Sequence, residues 1–446
     1  MKIVIAGAGD IGFHLSRLLS NELNDIVLID YDEDALEHAK NHLDVLTMSG
    51  DATSLETLED AGVSNCDIFL AVTTSESSNL ISAIMAKKMG AARTISRLTK
   101  LEYMRPDKQE MFRELGIDKI ISPTQLAVQE ISRLLDHCEV TDHFEFEDGK
   151  LSLVGITIDD DSILINRSIS QATRYIDSLV FRPIAMLRGQ STILPRPDTI
   201  FRRKDHVYFI TPNNELDALM QALGKEPIEV KNVMIVGGSA MGLYTARALE
   251  KNYNVKLIEK DKRRCKVLNE KLDKTLVIRG DASNVELLKE EGLENMDAFI
   301  ALTGNSETNI ITSLFAEEGG VDKTIALVDN TDYTHISMNI GIDTLINKKL
   351  IAANNIFRFV RKGKIEAITG IHGVNAEVIE FVVHKTNKLT RKPLKALRFP
   401  SNSIIGMVIR GEENIIPTGE FIFEVGDKAI IFALPNAINK IEALFR

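Results

Sequence analysis

The chain has 446 residues, 44% hydrophobic and 26% charged. That is the balance of a folded globular protein, with room for about three domains at the usual ~150 residues each. Its 53 basic and 64 acidic side chains leave a formal net charge of −11, which on average repels nucleic acid and anionic lipid. Three widely spaced cysteines, Cys66, Cys138 and Cys265, speak against a disulfide framework or a zinc site and fit a reducing compartment.

Met1 and Lys2 lead into the apolar run Ile3–Gly7, which is too short for a secretion signal. No stretch approaches the ~20 apolar residues of a membrane span. Runs at Lys2–Ala6, Ile26–Ile29, Val45–Met48, Ile68–Val72, Thr94–Ser96 and Lys119–Ile121 predict strands. The stretches Ile11–Leu19 and Asp34–Ala39 between them predict amphipathic helices, and this alternation predicts a parallel sheet covered on both faces. A helix at Thr124–Asp136 leads into shorter strands at Leu151–Ile158, Phe181–Leu187 and His206–Ile210, broken by Gly, Pro and Asp turns. With a helix near Asn213–Leu223, this second part reads as a small α+β module. Leu223–Pro227 holds a helix-stopping glycine and a proline, and reads as a joint.

Beyond the joint the chain repeats itself. Lys2–Gly7 (KIVIAG) recurs as Asn232–Gly237 (NVMIVG), an offset of 230 residues. Gly50-Asp51-Ala52-Thr53 recurs as Gly280-Asp281-Ala282-Ser283, Ala71-Val72-Thr73 as Ala301-Leu302-Thr303, and Asn79 as Asn309, all at the same offset. At an offset of 222, Arg188-Gly189 pairs with Arg410-Gly411, Pro195 with Pro417, and Asp205–Phe209 with Asp427–Ile431. The predicted organisation is two Rossmann-like doubly wound sheets, at 1–122 and 230–348, each followed by a small α+β module, at 140–225 and 365–446. Helices at Thr124–Asp136 and Lys349–Val360 bridge front part to back part.

Gly7-Ala8-Gly9-Asp10-Ile11-Gly12 is a complete G-x-G-x-x-G between a predicted strand and a predicted helix. The first glycine serves the tight turn, the second lets a pyrophosphate approach, and the third lets helix pack on sheet. The helix N-terminus offers unpaired N–H groups to the phosphates. Asp30 ends the next strand 18 residues past Gly12, where a carboxylate takes ribose hydroxyls and repels a 2′-phosphate, so NAD is expected over NADP. In the second copy the loop reads Gly237-Gly238-Ser239-Ala240-Met241-Gly242, and Glu259 follows 17 residues after Gly242. Ser239 in place of the middle glycine predicts a weakened or altered second site. Asp51 and Asp281 follow the third strand, Thr73, Thr74 and Thr303 the fourth, and Arg97 the fifth, positions facing the crevice or serving local turns.

Other groupings carry less. His38 and His42, at i, i+4, fit a solvated helix face better than a metal pair. His137, Cys138, Asp142 and His143 read as a linker cluster, and Gly238-Ser239-Ala240 lacks the spacing of a nucleophile elbow.

The duplicated glycine loop, strand-end acid, Gly-Asp-Ala and Ala-Val-Thr pattern resembles the RCK (also called KTN) domain, over nearly the whole chain. Val255–Glu259 and Gly280–Leu288 are the most specific stretches. The resemblance implies a regulatory, nucleotide-sensing subunit with no catalytic or metal site, peripheral on the cytoplasmic face of the plasma membrane. It implies a homo-oligomeric ring on an integral-membrane potassium transporter subunit of the TrkH/TrkG kind, with no nucleic acid. The implied ligand is NAD(H), with ATP or ADP as further ligands at one or both sites. Its implied contacts are Gly7, Gly9, Gly12, Asp30, Thr73 and Arg97, and in the second copy Gly237, Gly238, Gly242, Glu259 and Thr303. An NAD-dependent oxidoreductase and a ligand-responsive scaffold for another transporter are the competing readings. A hydride-transfer enzyme needs a substrate pocket with a proton-shuttling group, and neither back part offers an obvious one.

Overall fold

Apolar, β-branched runs become central strands here because helices cover both faces of the sheet. The computed structural model describes every residue except 21–23, 139, 159–161, 177, 190, 226–228, 331–343, 362–366, 371–375 and 446. The first sheet comprises β1 (Lys2–Ala6), β2 (Asp25–Asp30), β3 (Leu46–Ser49), β4 (Ile68–Ala71), β5 (Arg93–Arg97) and β6 (Lys119–Ile121). Its order is β3-β2-β1-β4-β5-β6, with all pairings parallel. Chain direction across the sheet reverses between β1 and β4, which opens a crevice at the strands' C-terminal ends. Ile3, Val4, Ile5 and the whole of β4 are buried, each large side chain worth about 1.5–3 kcal/mol by area. Helices Asp10–Ser20, Glu33–His42 and Glu76–Met89 connect the strands.

A five-stranded antiparallel sheet follows: β7 (Asp142–Phe146), β8 (Leu151–Thr157), β9 (Arg182–Arg188), β10 (Ser191–Ile193) and β11 (His206–Pro212), in the order β10-β9-β11-β8-β7. Helix Leu216–Ala222 closes the module, and Gly224, at φ +81°, ends it as the joint predicts. Pro227 of that joint lies outside the described residues. The pattern then repeats. β12 (Asn232–Val236), β13 (Asn254–Glu259), β14 (Leu276–Arg279), β15 (Ala298–Ala301), β16 (Lys323–Leu327) and β17 (Thr344–Ile346) form a parallel sheet in the order β14-β13-β12-β15-β16-β17. Last come β18 (Ala367–Gly370), β19 (Glu377–Val382), β20 (Ser403–Arg410), β21 (Glu413–Ile415) and β22 (Lys428–Ala433), in the order β18-β19-β22-β20-β21.

One part of the linker reading is corrected. Asp142 and His143 lie in β7 and are buried, not in a connecting segment. Partners from other strands make the burial tolerable: Tyr208 Oη (3.0 Å) and His206 Nε2 (3.2 Å) reach Asp142, and Ser152 Oγ lies 3.0 Å from His143 Nε2. Among the described residues no three His, Cys, Asp or Glu side chains group as a metal site, and the three cysteines are free and buried. No described helix is long and apolar enough to cross a membrane.

Contacts divide the chain into two compact units: 1–129 with 347–361, and 130–346 with 362–446. Helix Lys348–Arg361 therefore belongs with the first copy's sheet, where it packs along helix Asp10–Ser20. Arg93, heading β5, donates to the Val360 carbonyl in that helix's last turn (3.3 Å). Its counterpart Lys323, heading β16 and fully buried, donates to the carbonyls of Cys138 (3.3 Å) and Val140 (2.8 Å), just past helix Pro123–Asp136. Each front sheet thus uses a cation to satisfy carbonyls at the end of the other copy's connecting helix, where backbone acceptors lack helical donors.

In the second unit the two back modules share one core, including Leu153, Ile184, Tyr208, Val378, Met407 and Phe432. The repeated Arg and Asp of those modules prove to be each other's partners. Arg188 Nε and Nη2 donate to the two oxygens of buried Asp205 (2.8 and 2.7 Å), and Arg410 does the same to Asp427 at the same distances. The second nitrogen also reaches the carbonyl of Ile200 or Ile422. The carboxylate bond holds each guanidinium above its ordinary pKa. Asp205→Ala and Asp427→Ala are each expected to lower the unfolding free energy by roughly 3 kcal/mol, read by denaturant titration. Losses near zero would contradict a structural clasp.

Candidate functional site

The two glycine loops have the same backbone. Gly7 sits at φ +113°, and a Cβ there would meet Thr73 backbone atoms at 2.8 and 2.9 Å; Gly237, at φ +101°, would meet Leu302 and Thr303 at 2.7 Å. A Cβ on Gly12 would lie 1.7 Å from the Gly7 carbonyl oxygen, and one on Gly242 1.9 Å from that of Gly237. The outer glycines are therefore required by the fold itself. A Cβ on Gly9 meets nothing within 4 Å. The protein leaves that space open in front of the Asp10–Ser20 N-terminus, whose first N–H groups have no helical partner. This is the room a pyrophosphate needs. Asp10 and Ile11 open that helix, with Ile11 buried beneath it.

Each loop is fastened to the acid that ends the neighbouring strand. Ala8 N–H donates to Asp30 Oδ2 (2.6 Å) and Asp32 N–H to Asp30 Oδ1 (3.1 Å). Gly238 N–H donates to Glu259 Oε2 and Asp261 N–H to Glu259 Oε1, both at 2.7 Å. Every oxygen keeps a second lone pair for an outside donor. The copies compensate in size here. Glutamate is one methylene longer than aspartate, and a Cβ on Gly238 would lie 2.8 Å from Glu259 Oε2 and 2.6 Å from Leu268 Cδ1. Glycine at 238, where the first copy has Ala8, makes the room. Arg264 Nε adds a bond to the Gly238 carbonyl at 2.5 Å.

The far wall repeats as well. Asn79, buried in helix Glu76–Met89, accepts from the N–H (2.8 Å) and hydroxyl (2.7 Å) of Thr73 through Oδ1. Its Nδ2 donates to the carbonyls of Thr73 (3.0 Å) and Arg97 (2.9 Å). Asn309 makes the same four bonds with Thr303 and Leu327, at 2.6–3.1 Å. The sequence marks Asn79 and Asn309 only as repeated residues; here they pin the end of the fourth strand to the end of the fifth. Thr74 is exposed beside Thr73. Asp51 and Asp281 hold turns of their own, each accepting the N–H and hydroxyl of Thr53 or Ser283, which lowers both carboxyl pKa values.

Charge separates the copies. Arg97 ends β5 with Nη1 3.3 Å from the Thr73 carbonyl; burial lowers its pKa, while Glu76 and Asp10 oppose that shift. Leu327 takes its place in the second copy. There a cavity of about 450 Å³ is lined by Gly238, Ser239, Glu259, Asp281 and Thr303, and also by Lys260, where the first copy has exposed Tyr31. The volume is that of a ligand pocket, which runs about 300–1,000 Å³. Ser239 lines this crevice without closing it. The structure thus brings both loops, both strand-end acids and both threonines to the crevices; Asp51 and Asp281 hold their own turns, and Asp281 also lines the second crevice.

Fold and site define a class: a duplicated chain of two Rossmann-type sheets, each with a glycine loop locked to a strand-end acid. Comparison with known proteins agrees. Residues 3–123 and 233–348 match the TrkA-N domain, and 153–224 and 378–446 the TrkA-C domain. The chain is 34% identical over 448 residues to a protein of Archaeoglobus fulgidus called a Trk system potassium uptake protein TrkA homolog, covering all of both chains. It is 32% identical to the Trk system potassium uptake protein TrkA of Halomonas elongata, covering 100% of this chain and 99% of the other. The GsuK RCK domain crystal structure has the same fold at a TM-score of 0.61 and 16% identity, covering 100% of this chain and 94% of that one. So does the GsuK channel bound to NAD, at 0.61 and 16%, covering 100% and 78%. The chain belongs to the TrkA family.

Size compensation at the second loop is testable. Gly238→Ala should cost roughly 1–3 kcal/mol of stability, and Glu259→Asp added to it should recover most of the loss in thermal melts. A double variant no more stable than Gly238→Ala alone would show that Glu259 does not set the requirement.

Proposed function

We propose that this chain is the nucleotide-sensing, peripheral cytoplasmic subunit of a potassium uptake system. It forms a homo-oligomeric ring and gates flux through an integral-membrane transporter subunit of the TrkH/TrkG kind. One observation carries the reading: in both copies a glycine loop is fastened to the acid beside which a ribose would lie, and in the first copy its helix end is open to an anion. Membership of the TrkA family, and relatives named for potassium uptake, supply the transport context. Fold neighbours solved with NAD and, at a TM-score of 0.50, with ADP support adenine nucleotides as the ligand class.

In this reading Gly7, Gly9 and Gly12 admit the pyrophosphate, Asp30 takes the ribose hydroxyls, and Thr73 and Arg97 form the opposite wall. Gly237, Gly238, Gly242, Glu259 and Thr303 do the same in the second copy, with Ser239 and Lys260 altering its preference. The front parts at 1–122 and 230–348 bind nucleotide, and the back parts at 140–225 and 365–446 transmit the response. The nucleotide is a signal and leaves chemically unchanged.

Calorimetry tests the first copy. NADH should bind more tightly than NADPH, because the Asp30 carboxylate opposes a 2′-phosphate. Asp30→Ala should weaken NADH by roughly 1–3 kcal/mol. Equal binding of NADPH would contradict the site assignment. Sustained NADH oxidation with a small carbonyl substrate would favour the oxidoreductase instead. Purification from native membranes without a channel-like potassium transporter would favour the scaffold.

A further inference from the structure

Helix Lys348–Arg361 comes from the second half of the sequence, yet it packs along the helix that begins at the first glycine loop. Near its N-terminus Lys349 reaches that loop, with Nζ 2.7 Å from Asp10 Oδ2. Asp10 is the residue directly after the open glycine, in the first turn of helix Asp10–Ser20. A carboxylate there suits the helix dipole, but it repels an incoming polyphosphate. Lys349 neutralises it from across the packed helices. Asp10 is well exposed, whereas the lysine side chain is only 28% exposed, so the lysine is held and the acid is able to turn toward water.

The other copy lacks both charges. Ala240 stands where Asp10 does in the first loop, and Thr124 takes the place in helix Pro123–Asp136 that Lys349 has in its own helix. Acid and base are thus present together in one copy and absent together in the other, as expected of a functional pair.

We propose that Lys349 is part of the first copy's nucleotide site. It cancels the Asp10 charge at the phosphate end and passes to the ligand's anionic phosphates when a nucleotide binds. Occupancy of the first crevice is then felt by the helix that leads into the second back module. This rests on the nucleotide-sensing reading above and adds a contact and a route to it.

The test uses the full chain with NADH and ADP as probes. The first copy's contribution is the part of the binding signal lost in Gly9→Val, a variant whose added side chain begins in open space. Lys349→Gln should weaken that contribution about five- to tenfold for both probes, with an unchanged melting curve. Asp10→Asn should bind at least as tightly as wild type, because it removes only the repelling charge. Amide exchange across 348–361 should slow on adding NADH to wild type, and not in Lys349→Gln. Full affinity in Lys349→Gln, with Asp30→Ala still weakened, overturns this inference and leaves the proposed function standing. Full affinity in both variants overturns the two together. Equal weakening in Asp10→Asn and Lys349→Gln reduces the pair to a structural clip and also overturns it.

Discussion

The first front sheet receives the connecting helix that follows the second, and in each copy a buried or half-buried cation at the head of the fifth strand binds carbonyls from the other copy's connecting segment. Arg93 holds the end of helix Lys348–Arg361, and Lys323 holds the segment after helix Pro123–Asp136. Burying Lys323 almost completely is costly unless its ammonium is bonded, and the two carbonyls are what make it tolerable. The two back modules share a core within the second unit.

The copies have kept a scaffold and changed its charges. The acid-to-loop bond, the threonine wall and the buried asparagine recur almost atom for atom. The first copy places its cations, Arg97 and Lys349, toward the glycine loop, while the second has Leu327 and carries Lys260 beside its strand-end acid. Under the proposed function, two such crevices would respond differently to ligands that differ in phosphate number or ribose substitution. A ligand shifts a two-state assembly only by its differential affinity, and five- to hundredfold preferences are worth about 1–3 kcal/mol per site. In the proposed ring, several such sites together would reach the ~5.5 kcal/mol that moves a gate from mostly shut to mostly open.

Much of the fold and of the two crevices is legible in the amino-acid sequence. Strands such as Lys2–Ala6 and Ile68–Ala71 are continuous apolar runs because both faces are buried, and Gly7, Gly9 and Gly12 announce a close-packed turn with an open phosphate end. Asp30 and Glu259 are marked by their distance from the loops. Other features depend on partners remote in sequence. Strand Asp142–Phe146 (DHFEF) is rich in polar residues and reads as linker, until Tyr208, His206 and Ser152 arrive to satisfy them. Asn79 is an ordinary helical residue until the fourth and fifth strands meet around it. Lys349 lies 339 residues from Asp10, and no local pattern announces that their helices pack. Glycine at 238 looks like a lost alanine, and only the longer side chain of Glu259 explains it.

The most direct measurement is potassium flux into vesicles containing the membrane transporter and this protein, recorded with and without NADH, ADP or ATP. The double variant Asp30→Ala/Glu259→Ala, checked for intact assembly, is compared with wild type. Nucleotides should change flux in wild-type vesicles, and the double variant should assemble but lose the response. A double variant whose flux follows nucleotides as wild type does would show that these crevices are not the sensor.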